Sequence, residues 1–208
     1  MMRRFCQLSL ALIASIALFG CQGSSVMEKP SAQATLPLPG DSIFYLESRW
    51  SDQNGQEMQL RSLRGKAQVI AMIYGRCEGA CPRIIEELRQ VEKLLDAKSS
   101  QEAGFVLVTM DPSVDSSERL RALAQEYGLG PHWRLLRGSE EQTRELAAAL
   151  GVKYKKVSDT DFAHSNTITV LSSAGIVVHQ KQDLGGVEKS AQALEEAILN
   201  KDLCCQTP

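Results

Sequence analysis

Val69-Ile70-Ala71-Met72-Ile73-Tyr74-Gly75-Arg76-Cys77-Glu78-Gly79-Ala80-Cys81-Pro82 runs from an unbroken apolar segment into two cysteines and a proline. A continuous apolar run of this length, residues 69–74, reads as a strand buried on both faces, the type found in parallel sheets. Pro82 suits the first helical position, where its missing N–H costs nothing, and it predicts a helix from 82 to about 97. Ile84, Ile85, Leu88, Val91 and Leu95 recur along that stretch at helical spacing. Both thiols therefore stand at the positive end of a helix, where free N–H groups and the macrodipole favour thiolate. Thiolate is the form that attacks disulfides and binds soft metals, so the placement points to chemistry.

The neighbouring segments extend the pattern. Residues 105–110 are again apolar and predict a second strand, parallel to the first and joined by a right-handed crossover. Upstream, Ile43-Phe44-Tyr45-Leu46 and Glu57-Met58-Gln59-Leu60 flank Asp52-Gln53-Asn54-Gly55 and predict a hairpin. Asp115 with Glu118, and Ser139 with Gln142, form capping-box patterns before Leu120, Leu123 and Tyr127 and before Leu146 and Leu150. Residues 167–171 and 176–178 flank a second turn, Ser172-Ser173-Ala174-Gly175, and a last helix carries Val187, Ala191, Leu194 and Ile198 on one face. A strand–helix–strand half joined to a hairpin–helix half is an α/β arrangement. It predicts a thioredoxin-like three-layer sandwich, with an N-terminal β-hairpin and extra helices added.

The chain ends read differently. Arg3 and Arg4 precede an apolar run over 8–19 that is too short to span a membrane, followed by Gly20-Cys21. This predicts a lipoprotein signal peptide over 1–20 with Cys21 acylated; an ordinary secretory signal, leaving Cys21 as a thiol, is the alternative. Residues 21–40 are rich in Ser, Pro and Gly and predict a flexible tether of roughly 25 Å. The domain then occupies 41–200, and 201–208 is a tail. The whole chain has 23 basic and 25 acidic residues; losing Arg3 and Arg4 leaves 21 against 25, net −4, with no basic block to attract nucleic acid. Of six cysteines, Cys6 leaves with the signal and Cys21 carries the lipid, and four thiols remain as Cys77/Cys81 and Cys204/Cys205. In an exported protein such pairs need a redox or metal explanation.

Four motifs carry a specific resemblance: Cys77-x-x-x-Cys81-Pro82 after a strand, Val108-Thr109-Met110-Asp111-Pro112, Trp133-Arg134-Leu135-Leu136-Arg137-Gly138, and Phe162-Ala163-His164-Ser165. The chain resembles the Sco/SenC family of thioredoxin-fold copper proteins linked to cytochrome oxidase assembly, over most of 41–199. Family members commonly have Pro after the first cysteine, where this chain has Glu78. The resemblance implies one copper ion, Cu(I) or Cu(II), held by Cys77, Cys81 and His164. Two thiolates and an imidazole are a soft donor set that suits it, whereas structural zinc needs a fourth ligand that the sequence does not offer. Thioredoxins place a proline before the strand facing their cysteines; here His164-Ser165-Asn166 stands there, a position for a ligand.

The other polar residues have plainer readings. His132 and His179 read as solvated, Met72 and Met110 as core, and Glu78, Arg76 and Arg83 as solvated charges that tune the thiols. Asp111-Pro112 reads as a strand end, with support of the site as the alternative. Cys204-Cys205 could hand copper or electrons to Cys77/Cys81, or be inert.

Three functions follow. The first is a metallochaperone, lipid-anchored in the cell envelope and facing the periplasm or exterior. It would deliver copper to an enzyme such as cytochrome c oxidase, at the dinuclear copper site of subunit II. The second is a thiol–disulfide oxidoreductase that keeps the target's cysteines reduced through Cys77 and Cys81 without needing His164. The third, a peroxidase, lacks a Ser or Thr beside Arg76-Cys77 and ranks last.

Overall fold

The computed structural model describes residues 37–200. The expected signal segment over 1–20, Cys21, the expected tether up to residue 36, and Cys204 and Cys205 lie outside the described residues.

The apolar run forms β3 (Ala67–Ile73), and the following strand is β4 (Ala103–Thr109). The two pair in parallel, with Val69 opposite Phe105. Every residue of both is buried, as strands covered on both faces require. The five-stranded sheet has the order β5-β4-β3-β8-β9, with β5 Trp133–Leu136, β8 Ile168–Leu171 and β9 Val177–Lys181. β5 joins in parallel, whereas β8 and β9 run antiparallel as the predicted second hairpin. Phe105 and Trp133 stack at 4.8 Å across the β4–β5 pair, and the indole N–H of Trp133 donates to Glu92 at 3.0 Å.

Helix α1 (Ala80–Leu94) packs against α5 (Val187–Leu199), and α5 covers β3, β8 and β9. Lys181 and Glu87 form a partly buried ion pair at 2.5 Å that ties α1 to β9. Helix α3 (Ser117–Glu126) lies against β5, and α4 (Glu140–Ala149) starts at the expected Ser139–Gln142 capping box. This is the thioredoxin-like sheet-and-helix arrangement that the sequence predicts.

Four local expectations change. α1 begins at Ala80, two residues before Pro82, and ends at Leu94 because Leu95 turns extended (ψ 144°). Asp96 then caps a separate short helix, α2 (Ala97–Glu102), by accepting from Ser99 N–H at 2.6 Å. Residues Ile43–Tyr45 form a 3-10 turn and no strand: the Ser42 hydroxyl accepts from Phe44 N–H and donates to Ala174 O, bending the chain. The first hairpin is therefore shorter, β1 (Arg49–Ser51) with β2 (Glu57–Gln59), closed by Asp52 accepting from Asn54 and Gln56 N–H. Finally, Ser116, not Asp115, caps α3.

A candidate metal centre at the strand–helix junction

After β3 the chain turns tightly, with Cys77 N–H donating to Tyr74 O at 3.1 Å. Cys81 is the second residue of α1, and its N–H, one of the free donors at the helix start, points at Cys77 Sγ at 3.3 Å. Burial opposes ionisation of Cys77. Hydrogen bonds from the Cys81 thiol and N–H and from Gly79 N–H outweigh it, and the thiol falls below its ordinary range. Cys81 goes the other way: it is 2% exposed, and burial, reinforced by the Cys77 sulfur beside it, pushes its thiol far up. The expectation that the helix start favours both thiolates thus holds for Cys77 alone. In the metal-free pair Cys77 is therefore the accessible, more readily ionised thiol and Cys81 the buried one that resists ionisation.

His164 reaches this pair through sheet topology. β8 runs antiparallel to β3 with Ile168 opposite Ala71, so the chain enters β8 where it leaves β3. His164, just before β8, lies in β7 (Phe162–His164), which pairs with β6 (Tyr154–Lys156) as a small hairpin apart from the main sheet. Its Nε2 is 3.9 Å from Cys81 Sγ, and all three donor atoms lie within 4.8 Å of one another. Its Nδ1 is 3.1 Å from Ser165 O, which can only accept. That contact places the proton on Nδ1 and leaves the Nε2 lone pair facing the thiols.

The donor set fits a single metal ion. Bonds of about 2.0–2.3 Å to nitrogen and sulfur put two donors of one ion at most about 4.5 Å apart. The Cys81–His164 separation is already inside that limit, and the widest spacing closes with a shift of a few tenths of an ångström. An open groove of about 1110 Å³, lined by residues including Cys77, Glu78, His164 and Asn166, gives access from solvent.

A buried scaffold holds the junction. Asp115 is fully buried; it accepts from Gly75 N–H at 2.8 Å and Thr109 Oγ1 at 2.5 Å, and pairs with Arg119 at 3.2 Å. Arg119 donates back to Gly75 O at 2.9 Å. A Cβ at Gly75 would stand 2.5 Å from Asp115 Oδ1, so only glycine fits this grip. Arg76 is not a free surface charge: it pairs with buried Asp111 at 2.6 Å and donates to Asp159 O at 2.9 Å. Tyr74 Oη donates to Asp161 Oδ1 at 2.5 Å. The sequence reading missed Tyr74, Asp115 and Asp161 as site residues; the phenol ending an otherwise apolar strand, next to Gly75, was their available signal. Glu78 and Arg83 are exposed and Met72 and Met110 are core, as expected. His132 and His179 are half-buried, less exposed than expected, and His179 Nε2 is buried without a hydrogen-bond partner among the described residues.

The comparisons with known proteins agree with this geometry. The family model described as SCO1/SenC matches residues 45–199. A protein of Stutzerimonas stutzeri is 27% identical over 128 residues, 60% of this chain and 62% of its own length, so the chain spans less than two thirds of that relative. The SCO1 protein homolog of Bacillus subtilis is 24% identical over 145 residues, 68% of this chain and 73% of the relative. The crystal structure of Arabidopsis thaliana ScoI with copper bound superposes with a TM-score of 0.64 at 19% identity, covering 74% of this chain and 96% of that one. BsSco, a member of the Sco family of cytochrome c oxidase assembly proteins, superposes with a TM-score of 0.64 at 21% identity over 73% and 91% of the two chains.

Proposed function

The chain belongs to the SCO1/SenC family, and from that premise we propose that Cys77, Cys81 and His164 hold one copper ion as cargo for an extracytoplasmic copper enzyme. The dinuclear copper site of cytochrome c oxidase subunit II is the recipient we favour. The observation that carries the reading is the convergence of two sulfurs and a correctly oriented imidazole nitrogen within 4.8 Å, with Cys77 and His164 lining an open groove. Copper accepts both donor types, with thiolates preferred by Cu(I) and the imidazole adding what Cu(II) needs. Lipid attachment at Cys21 would hold the domain to a membrane on the oxidising side; among the described residues no helix is long and apolar enough to cross one.

Thiol–disulfide exchange is the second reading, favoured by the unequal thiols. Cys77 thiolate would attack one sulfur of a target disulfide, forming a mixed disulfide and releasing the other sulfur, which takes up a proton. Cys81 would then lose its proton and attack Cys77 Sγ, releasing the second target thiol and leaving a Cys77–Cys81 disulfide. The target gains two electrons and this pair loses two.

One variant separates the two. His164→Ala leaves the helix start that sets Cys77 reactivity, so disulfide exchange should persist and Cu(I) should remain partly bound by two sulfurs. Stable Cu(II) binding should be lost, and with it assembly of the copper target in cells. Full target assembly in a His164→Ala strain, together with failure of Cys77→Ser, would reject delivery in favour of reduction. Cu(I) titration of reduced and oxidised protein checks the site itself, since a Cys77–Cys81 disulfide removes both sulfur donors; equal uptake by both forms would place the copper elsewhere.

A further inference from the structure

We infer that Tyr74 and Asp161 form a clamp that positions His164, so that the hydroxyl–carboxylate bond between them governs how firmly the imidazole joins the two sulfurs. The inference rests on the reading of His164 as a donor. His164 and the cysteines belong to separate pieces of structure: the thiols are fixed by β3 and α1, whereas the imidazole rides on the two-stranded β6–β7 hairpin, outside the main sheet. A two-stranded hairpin is marginal by itself and needs packing or cross-links to hold a geometry.

Tyr74 supplies both. It is 5% exposed and is the first residue after β3, three positions before Cys77. Its ring packs against Phe162 at 5.1 Å and meets the His164 ring edge-on at 5.8 Å. Its hydroxyl donates to Asp161 Oδ1 at 2.5 Å, and the same oxygen accepts from Phe162 N–H at 2.9 Å, at the first residue of β7. Arg76 adds a second attachment on the same hairpin by donating to Asp159 O at 2.9 Å. Two side chains flanking the turn before Cys77 therefore reach across the groove and grip the turn that leads to His164. One of them, Tyr74, also touches the imidazole.

The hydroxyl and the ring do different work, and Tyr74→Phe removes only the first. Ring packing on Phe162 and His164 survives, so the variant should fold. In metal-free protein, amide exchange across the β6–β7 hairpin should rise about tenfold, the size of one lost hydrogen bond to a charged group, with β3 and β4 unchanged. Cu(II) retention should fall by about the same factor, and the imidazole-nitrogen signature in the electron paramagnetic resonance spectrum should weaken. Cu(I), held by the sulfurs, should stay within about threefold of the parent affinity, a shift too small for a lost charged hydrogen bond. Asp161→Ala should match Tyr74→Phe and add nothing to it when the two are combined, whereas Asp161→Asn, which keeps an acceptor oxygen, should restore most of the Cu(II) signature. Unchanged hairpin exchange and an unchanged Cu(II) signature in Tyr74→Phe would overturn the clamp. If His164→Ala also leaves that signature intact, the donor reading fails and the clamp with it. If His164→Ala abolishes it and Tyr74→Phe does not, only the clamp is wrong.

Discussion

Asp115→Ala should unfold this domain more readily than any single change to the metal donors, because its carboxylate holds the cysteine turn from below. The carboxylate is fully buried and accepts two hydrogen bonds, from Gly75 N–H and from Thr109 Oγ1, besides its ion pair with Arg119. Each bond to a charged acceptor contributes about 1.5–3 kcal/mol. Arg119 is 44% exposed, so its pairing is screened and adds little. Alanine leaves both buried donors unsatisfied, and water reaching the small cavity recovers part of the loss, for a net cost of about 3–5 kcal/mol. Urea unfolding followed by tryptophan fluorescence reads this directly, since Trp50 and Trp133 are both fully buried. With a slope of about 2 kcal/mol per molar, the midpoint should drop by about 1.5–2.5 M. Thr109→Val keeps the shape but removes the bond to Asp115 and the one accepted from Asp111 N–H, and should cost about 2–3 kcal/mol. A loss below about 1 kcal/mol for Asp115→Ala would refute the view that this carboxylate anchors the turn.

Two further outcomes follow from the thiols and the N-terminus. Alkylation of reduced protein should modify Cys77 before Cys81, with a rate midpoint below the ordinary thiol value of about 8.5. The sign follows from the depressed Cys77 value: thiolate persists as pH falls, so reactivity is retained into a range where free cysteine has lost it. A midpoint at or above that of free cysteine, read by peptide mapping, would contradict the hydrogen-bonding account. Mass spectrometry of the mature protein should find a di- or triacylated Cys21 at the N-terminus; an unmodified N-terminus elsewhere would remove the anchor.

Much of the architecture was legible because it depends on short-range regularities. The apolar runs at β3 and β4 are continuous because both faces of those strands are covered, and burial leaves a pattern in composition that needs no knowledge of neighbours. The Ser139–Gln142 box announces α4 because both of its hydrogen bonds close within one helical turn. Where a distant partner overrode a short-range signal, the outcome differs. Ile43–Tyr45 has strand-like residues, yet the Ser42 hydroxyl bends it into a 3-10 turn by bonding to Ala174, 132 positions away. Asp115 occupies a capping position by spacing, but its side chain turns inward to Gly75 and Thr109, and Ser116 takes the cap.

The sequence by itself determined that two thiols stand at a helix start and, through motif resemblance, that His164 belongs with them. Tertiary structure alone decided that the two thiols differ. Cys81 falls inside the packed face of α1 and loses its solvation, whereas Cys77 stays at the groove and collects hydrogen bonds. It also decided which charges are free: Arg76, a surface arginine by sequence, is committed to Asp111 and to the main chain at Asp159. The hydrogen bonds at Cys77 come from Gly79 and Cys81 close by, but they depend on the turn that the folded junction imposes. The charge and hydroxyl pairings of Arg76 and Tyr74 are made with atoms 35 to 87 positions away along the chain, where no local pattern records them.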